Sequence, residues 1–265
     1  MATSDKPPIF GLALQGWRYA FAALSRMPGV LGVAMAIVLV SSAITLMLVP
    51  GSKEEAPGLF AQLLGVLIGI VQGFFLTPVA IAVHRFVLLG EVTERYVLNP
   101  SEPRFKQFFI WTVIYQLMIS APSLLLAGPA ENAAALALSL PLFIIVTIVA
   151  LRLIILFPAI AVDAPGTAWQ NAVEDTNGHA WRIFWIVVLV SIPMLAVLLP
   201  PSLLLGWPKP TGIVTGLAFA ALQSVVSVLA ICTYAAVASL LFAAFSNRLN
   251  MLFSRPQSHQ PPSRL

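Results

Sequence analysis

The sequence predicts an all-α, polytopic membrane protein with six transmembrane helices. Of its 265 residues 59% are hydrophobic and only 9% charged, more apolar surface than one water-soluble core could hide. Six apolar stretches reach or approach the roughly twenty residues that an α-helix needs to cross hydrocarbon. They read as continuous runs rather than the alternating ten-residue strands of a membrane barrel, so helices must satisfy the backbone. The spans fall near 28–49, 58–90, 105–127, 133–160, 180–205 and 213–245. Their order suggests three antiparallel hairpins, with interfacial amphipathic helices near 10–26 and 164–177.

Charge sets the orientation. The formal net charge is +4, but the basic residues form no dense patch of the kind that holds nucleic acid. Twelve of the fourteen lysines and arginines lie on the N-terminal side of the predicted topology: Lys6, Arg18, Arg26, Arg85, Arg95, Arg104, Lys106, Arg152, Arg182, Arg248, Arg255 and Arg264. Only Lys53 and Lys209 fall in loops on the other side, a bias that predicts both termini in the cytoplasm. The N-terminus lacks the basic start, apolar core and cleavage region of a secretory signal, so the first crossing is expected to act as an uncleaved one. Cys232 is the single cysteine; it cannot form an intrachain disulfide, and reads as a small packing residue.

Residues 1–9 read as flexible, because Pro7 and Pro8 oppose an early helix. From Phe10, apolar positions recur at Leu14, Trp17, Phe21 and Leu24, with Gln15, Arg18 and Ser25 largely off the stripe. This is an amphipathic helix, either lying among headgroups with Trp17 at the interface or packed on the bundle by the same face. Pro28 suits the start of the first crossing, and Pro50, Gly51 and Ser52 end it. The second crossing carries Gly65, Gly69 and Gly73 at steps of four, a face for close helix approach. It fits packing within the chain or a seam to another membrane protein or a second copy.

At the end of that crossing comes HRFVLLGE, residues 84–91. His84 and Glu91 can share a helical face, and Glu91 stands four before Arg95 if the helix continues. With Arg85 they suggest a polar network at the inner boundary, or a contact for a lipid or partner. One histidine and one acid do not make a metal site. Ser101 is a candidate cap for the third crossing, with Pro103 in its first turn, and Arg104 and Lys106 suit anionic headgroups or simple solvation. Trp111 and Tyr115 read as packing aromatics. Glu131 and Asn132 occupy the brief turn before the fourth crossing.

Arg152 lies deep enough to require snorkelling, a partner or a wet cavity, and Pro158 then interrupts the helix before Asp163. Asp163 and Pro165 resemble a helix start. The second interfacial helix carries Trp169, and GHAWRIF, with Trp181 and Arg182, leads through Gly178 into the fifth crossing. Asp175 and His179 are four apart, but no nucleophile or oxyanion stabiliser accompanies them. Pro193 is expected to bend the fifth crossing, and Pro200 and Pro201 to help end it, with Trp207 at the outer interface. In the sixth, Ser224, Ser227, Thr233 and Ser239 can bond local carbonyls or neighbours. Residues 251–265 read as a flexible cytoplasmic tail.

The even-numbered crossings share a plan: each extends past a minimal span, as in FFLTPVAIAVHRFVLLGE, IVTIVALRLIILFPAIAVD and VSVLAICTYAAVASLLFAAF. This suggests a weak threefold repeat, unlike the inverted three-plus-three repeat of many carriers. The run RLIILFPAIAVDAPGTAWQNAVEDTNGHAWRIFWIVVLV, with HRFVLLGE, resembles a family of poorly characterised bacterial six-helix membrane proteins. These are similar to the membrane domain associated with glycerophosphoryl diester phosphodiesterases. The resemblance implies a multi-pass protein of the bacterial inner membrane and carries over no catalytic residue, the soluble phosphodiesterase barrel being absent from this sequence.

The residues therefore favour a non-enzymatic protein, without cofactor or metal, that organises, stabilises or regulates a membrane assembly. The alternative is lipid or small-amphiphile binding or translocation through an inner-leaflet cavity near Arg152. His84, Arg85, Glu91, Arg152, Asp163, Trp181 and Arg182 are the candidate contacts for lipid or partner.

Overall fold

The structure, a computed structural model, describes residues 8–48, 58–126, 133–204 and 213–250. Among them the chain forms nine α-helices: α1 (Ile9–Arg26), α2 (Pro28–Leu48), α3 (Leu59–Leu89), α4 (Pro103–Leu125), α5 (Ala133–Leu153), α6 (Leu156–Ala161), α7 (Trp169–Asp175), α8 (Ala180–Leu204) and α9 (Ile213–Phe245). Six helical spans are long and apolar enough to cross a membrane: Pro28–Thr45, Leu59–Leu89, Pro103–Leu125, Ala137–Ala161, Ala180–Leu199 and Gly216–Phe245. The fold is thus all-α and consistent with a polytopic membrane protein. The expectations for residues 1–7, for the loops holding Lys53, Glu131 and Asn132, Trp207 and Lys209, and for the tail 251–265 lie outside the described residues.

Prolines and glycines set most helix ends. Pro28 opens α2 directly after the break at Met27. Gly90 closes α3 with φ 72°, a left-handed conformation that glycine adopts without steric cost, and its N–H reaches the Phe86 carbonyl at 3.1 Å. Pro103 is the first residue of α4, where a missing N–H costs nothing. The residue before it is Glu102, which occupies the N-cap position without a side-chain bond, so Ser101 does not cap this helix. Pro200 and Pro201 do not end α8, which runs on to Leu204.

The longest departure is the connection between the fourth and fifth crossings. The helix expected over 133–160 breaks after Leu153, and the short α6 follows. Asp163 does not start a helix. It sits at φ 52° in a turn, and α7 covers only 7 of the residues assigned to an interfacial helix over 164–177. Gly178, at φ 74°, then turns the chain into α8.

The two helices of each hairpin, α2 with α3, α4 with α5 and α8 with α9, pack against each other. Helices α1, α2, α3, α6 and α8 gather around α9, whose span is 61% buried against 11% for α4, which packs on α3, α5 and α6 instead. The cause is side-chain size: lipid tails are as apolar as leucine, so helices in a membrane associate by close packing of small residues. On α9 these are Ala220, Ser224, Cys232, Thr233, Ala236 and Ser239, all buried. Ser224, Thr233 and Ser239 donate to the carbonyls of Ala220, Leu229 and Ala235, four residues back, which spares their hydroxyls an unpaired burial. Large side chains such as Phe60 (79% exposed) and Leu138 (63%) point away from the bundle.

The same rule governs α1, for whose stripe of large side chains two settings were open. Phe10 is 69% exposed and Phe21 57%, while Trp17 and Leu24 of that stripe pack partly against the core. The fully packed face is Leu12, Ala13, Gly16, Ala20 and Ala23, and α1 lies against α8 and α9. The approach is close enough that a Cβ on Gly16 would collide with Cγ2 of Val237. In the glycine series of α3, a Cβ on Gly69 would stand 3.1 Å from Nε2 of Gln116 and one on Gly73 3.2 Å from Cγ2 of Thr112, so both seat α4. Gly65 has open space beside it.

Candidate functional site: a charged collar at one end of the bundle

The end of α3, the start of α4, the α5–α8 connection and the end of α9 meet at one end of the bundle. The apolar plug there is α6, packed between α3, α4 and α9, with Leu156, Ala159, Ile160 and Ala161 fully buried. Aromatic edges fasten it: Phe157 meets Phe108 at 5.1 Å and Tyr115 at 5.6 Å between ring centroids.

Around α6 lies a polar knot. Arg85 forks onto Glu91, Nε to Oε2 at 2.6 Å and Nη2 to Oε1 at 2.7 Å, and donates through Nη1 to the Ala161 carbonyl at 3.1 Å. Asp163 accepts from Arg104 on both carboxylate oxygens, the Nε bond being 2.9 Å, and stands 4.0 Å from Arg85. Glu102 adds a contact to Arg104 at 3.5 Å. The structure therefore brings Arg85, Glu91 and Asp163 together, whereas the sequence related only Arg85 and Glu91 to one another. Because α3 stops at Gly90, Glu91 turns back to Arg85, and its expected partnership with Arg95 on a continuing helix does not form. The bond from Arg85 holds the Glu91 carboxyl below its ordinary value despite a small opposing effect of burial.

His84 stands apart from this knot. It is 3% exposed, and its Nδ1 lies 2.8 Å from Oγ of Ser239. Since the Ser239 hydroxyl donates to the Ala235 carbonyl, it is free to accept the imidazole N–H, which joins α3 to α9. The loop after Gly90 is pinned by Tyr96, whose Oη donates to the Phe75 carbonyl at 2.8 Å. Burial raises its phenol above the usual value.

A second lock lies on the α7 side. The Asp175 carboxylate accepts the backbone N–H groups of Asn247 at 3.0 Å, Arg248 at 3.0 Å and Leu249 at 3.1 Å. Glu174 pairs with the Arg248 side chain. Gly166 donates to the Leu249 carbonyl at 3.2 Å, and a Cβ on it would run into the backbone of Arg248 and Leu249. Asp175 thus holds backbone rather than His179, whose ring stacks on Phe245 at 4.6 Å.

The remaining candidates are Arg152, Trp181 and Arg182. Arg152 donates from Nη2 to Oδ1 of Asn177 at 3.3 Å, and the Thr176 hydroxyl approaches its carbonyl at 3.4 Å. Arg182 lies over Phe245, 6.0 Å from the ring centroid, the outer limit of a cation–π contact. Among the described residues, the Nε atoms of both arginines are buried without a hydrogen-bond partner. Trp181 is 69% exposed and stacks on Phe184 at 5.3 Å, with Trp185 edge-on at 5.6 Å.

Asn177, Asp175, Ser239 and Gly166 are among the participants that were not singled out as candidate contacts in the sequence. Only Asp175 carried a local signal, in its spacing from His179, and its true partners lie more than seventy positions away. A groove of about 690 Å³, lined by Pro122, Ser123, Leu126, Leu140 and Phe143 among others, lies between the end of α4 and the start of α5. It belongs to the opposite end of the bundle, away from Arg152. Among the described residues, no group of three or more histidine, cysteine or acidic side chains comes together to hold a metal. No protein-family model, curated protein or solved structure matches the chain.

Proposed function

We propose that this chain is a non-catalytic protein of the bacterial inner membrane, with both tails in the cytoplasm, that organises or stabilises a membrane assembly. The observation that carries the reading is the outward face of α1. This helix spends its small residues on the bundle and leaves Phe10, Leu14 and Phe21 outside, a row of large side chains open to lipid or to a partner helix. Large aromatic side chains of this kind anchor a partner. The positive-inside bias supports the orientation, and the resemblance to bacterial six-helix proteins supports the compartment.

The test is replacement of both Phe10 and Phe21 by serine in the full chain, read by proximity labelling in native membranes and by co-isolation in mild detergent. The reading expects the wild type to carry one defined partner or a second copy and the double variant to lose it while melting as the wild type does. A wild-type chain that is monomeric and has no proximity partner overturns it.

A second reading, lipid or small-amphiphile binding near Arg152, is favoured by a separate observation. Of the arginines on this collar, Arg85, Arg104 and Arg248 are matched by carboxylates, whereas Arg152 has an amide and Arg182 an aromatic ring.

A further inference from the structure

We infer that Arg152, with Asn177 and Arg182, forms a site for the phosphodiester of an anionic phospholipid headgroup; the inference rests on the second reading above. An arginine near the end of a membrane helix is stabilised by a pair, by snorkelling or by a wet cavity. The collar uses the first solution three times, with Glu91, Glu102 and Asp163 on Arg85 and Arg104 and Glu174 on Arg248, while Asp175 accepts backbone N–H groups. Among the described residues, no carboxylate pairs with Arg152 or Arg182.

Depth identifies the acceptor. Exposed tryptophans gather at the membrane–water boundary, and Trp181 and Trp185 are 69% and 42% exposed. Arg182 follows Trp181 directly, and Arg152 is tied to Asn177, four residues before it. Both guanidiniums therefore belong to the layer in which lipid phosphates lie. A guanidinium fork matches two phosphate oxygens, and two cations without a local carboxylate favour a lipid of net negative charge over a zwitterionic one. Asn177 orients Arg152 through Oδ1 as a positioning residue.

The decisive variant is Asn177→Asp. It keeps the side-chain size and places a carboxylate against Nη2 of Arg152, giving this arginine the kind of partner that Arg85 and Arg104 have. The full-length protein is placed in nanodiscs of phosphatidylcholine doped with phosphatidylglycerol. Retained lipid is counted by native mass spectrometry, with Arg18→Gln as a charge-matched control on the exposed face of α1. The wild type is expected to retain phosphatidylglycerol, and Asn177→Asp, Arg152→Gln and Arg182→Gln to weaken it about tenfold, the worth of a charged hydrogen bond. Arg18→Gln should leave it unchanged, and Asn177→Asp should melt no lower than the wild type.

Phosphatidylglycerol retention unaffected by Asn177→Asp, or lowered equally by Arg18→Gln, overturns the site. Inorganic phosphate alone raising the melting temperature as much as phosphatidylglycerol would make the ligand a free anion and overturn the lipid source. Equal retention of phosphatidylcholine and phosphatidylglycerol removes the headgroup site and leaves the lipid reading standing. Retention of neither, with no displacement of a fluorescent fatty acid probe, removes both.

Discussion

Asp163 offers the sharpest test of how the collar is held, because charge and backbone geometry can be separated at one position. Its carboxylate is 57% exposed and serves Arg104 on both oxygens and Arg85 at 4.0 Å. A buried pair broken on one side costs about 3–5 kcal/mol, but exposure on this scale brings the figure down to about 1 kcal/mol for a bidentate pair in a small network. The backbone adds a second quantity. At φ 52° an ordinary L-residue pays about 1 kcal/mol, whereas asparagine and aspartate tolerate the region. Asp163→Asn should therefore destabilise by ~1 kcal/mol, through charge alone. Asp163→Ala should cost ~2 kcal/mol, since it loses the carboxylate and strains the turn. Asp163→Gly should fall near the asparagine variant, because the strain is absent. Unfolding of the purified chain in mixed micelles, followed by tryptophan fluorescence against the fraction of denaturing detergent, gives these values. If alanine and asparagine cost the same, the turn is not strained. If Asp163→Asn lies within measurement error of the wild type and is additive with Arg104→Gln, the knot contributes nothing and the account of the collar fails.

Two further perturbations test other contacts. Gly16→Ala should destabilise the α1–α9 packing by about 1–3 kcal/mol, because the β-branched Val237 is stiff and cannot easily yield to a new methyl. Gly65→Ala, where nothing stands within 4 Å, is its control, and equal unfolding midpoints for the two variants would refute the close approach. Glu91 has a carboxyl held low in the folded state by Arg85, so its contribution is complete above the ordinary carboxylate pKa and is lost as pH falls through the lowered value. Melting temperature followed from pH 7 downward should therefore drop more for the wild type than for Glu91→Gln; parallel curves would rule the pair out as a source of acid sensitivity.

What the sequence discloses and what it hides have physical causes. Helix ends were legible wherever the backbone itself dictates them, at Pro28, Gly90, Pro103 and Gly178. The outward stripe of α1 was legible as a stripe, but periodicity cannot say which medium it faces. In water the largest side chains go inside; in lipid the small ones do, so Gly16, Ala20 and Ala23 make the interior contact. The central position of α9 was written in its alanines and hydroxyls by the same rule, which periodicity does not read. Arg85 and Glu91 were recognisable as a pair because they are local. Their union with Arg104 and Asp163 was not, because it joins positions up to 78 residues apart through a left-handed turn. His84 illustrates the same limit: a polar side chain at a helix end suggested the boundary network, while its partner, Ser239, lies 155 positions away.

The two locks also explain why the unmatched arginines stand where they do. Asp163 fastens the turn after α6 to α3 and α4, and Asp175 fastens the end of α7 to the turn after α9. The segment that runs from Arg152 to Asn177 is thus held at two points along its length, which limits how far the two can move apart. A binding site needs its contacts held by surrounding structure to well under an ångström. The collar supplies that support with carboxylates on both flanks and withholds them from the centre. If the locks served stability alone, a carboxylate at Asn177 would complete the same design at no cost in volume. The amide found there leaves the positive charge of Arg152 without a carboxylate among the described residues, a choice that the stability of the collar by itself does not require.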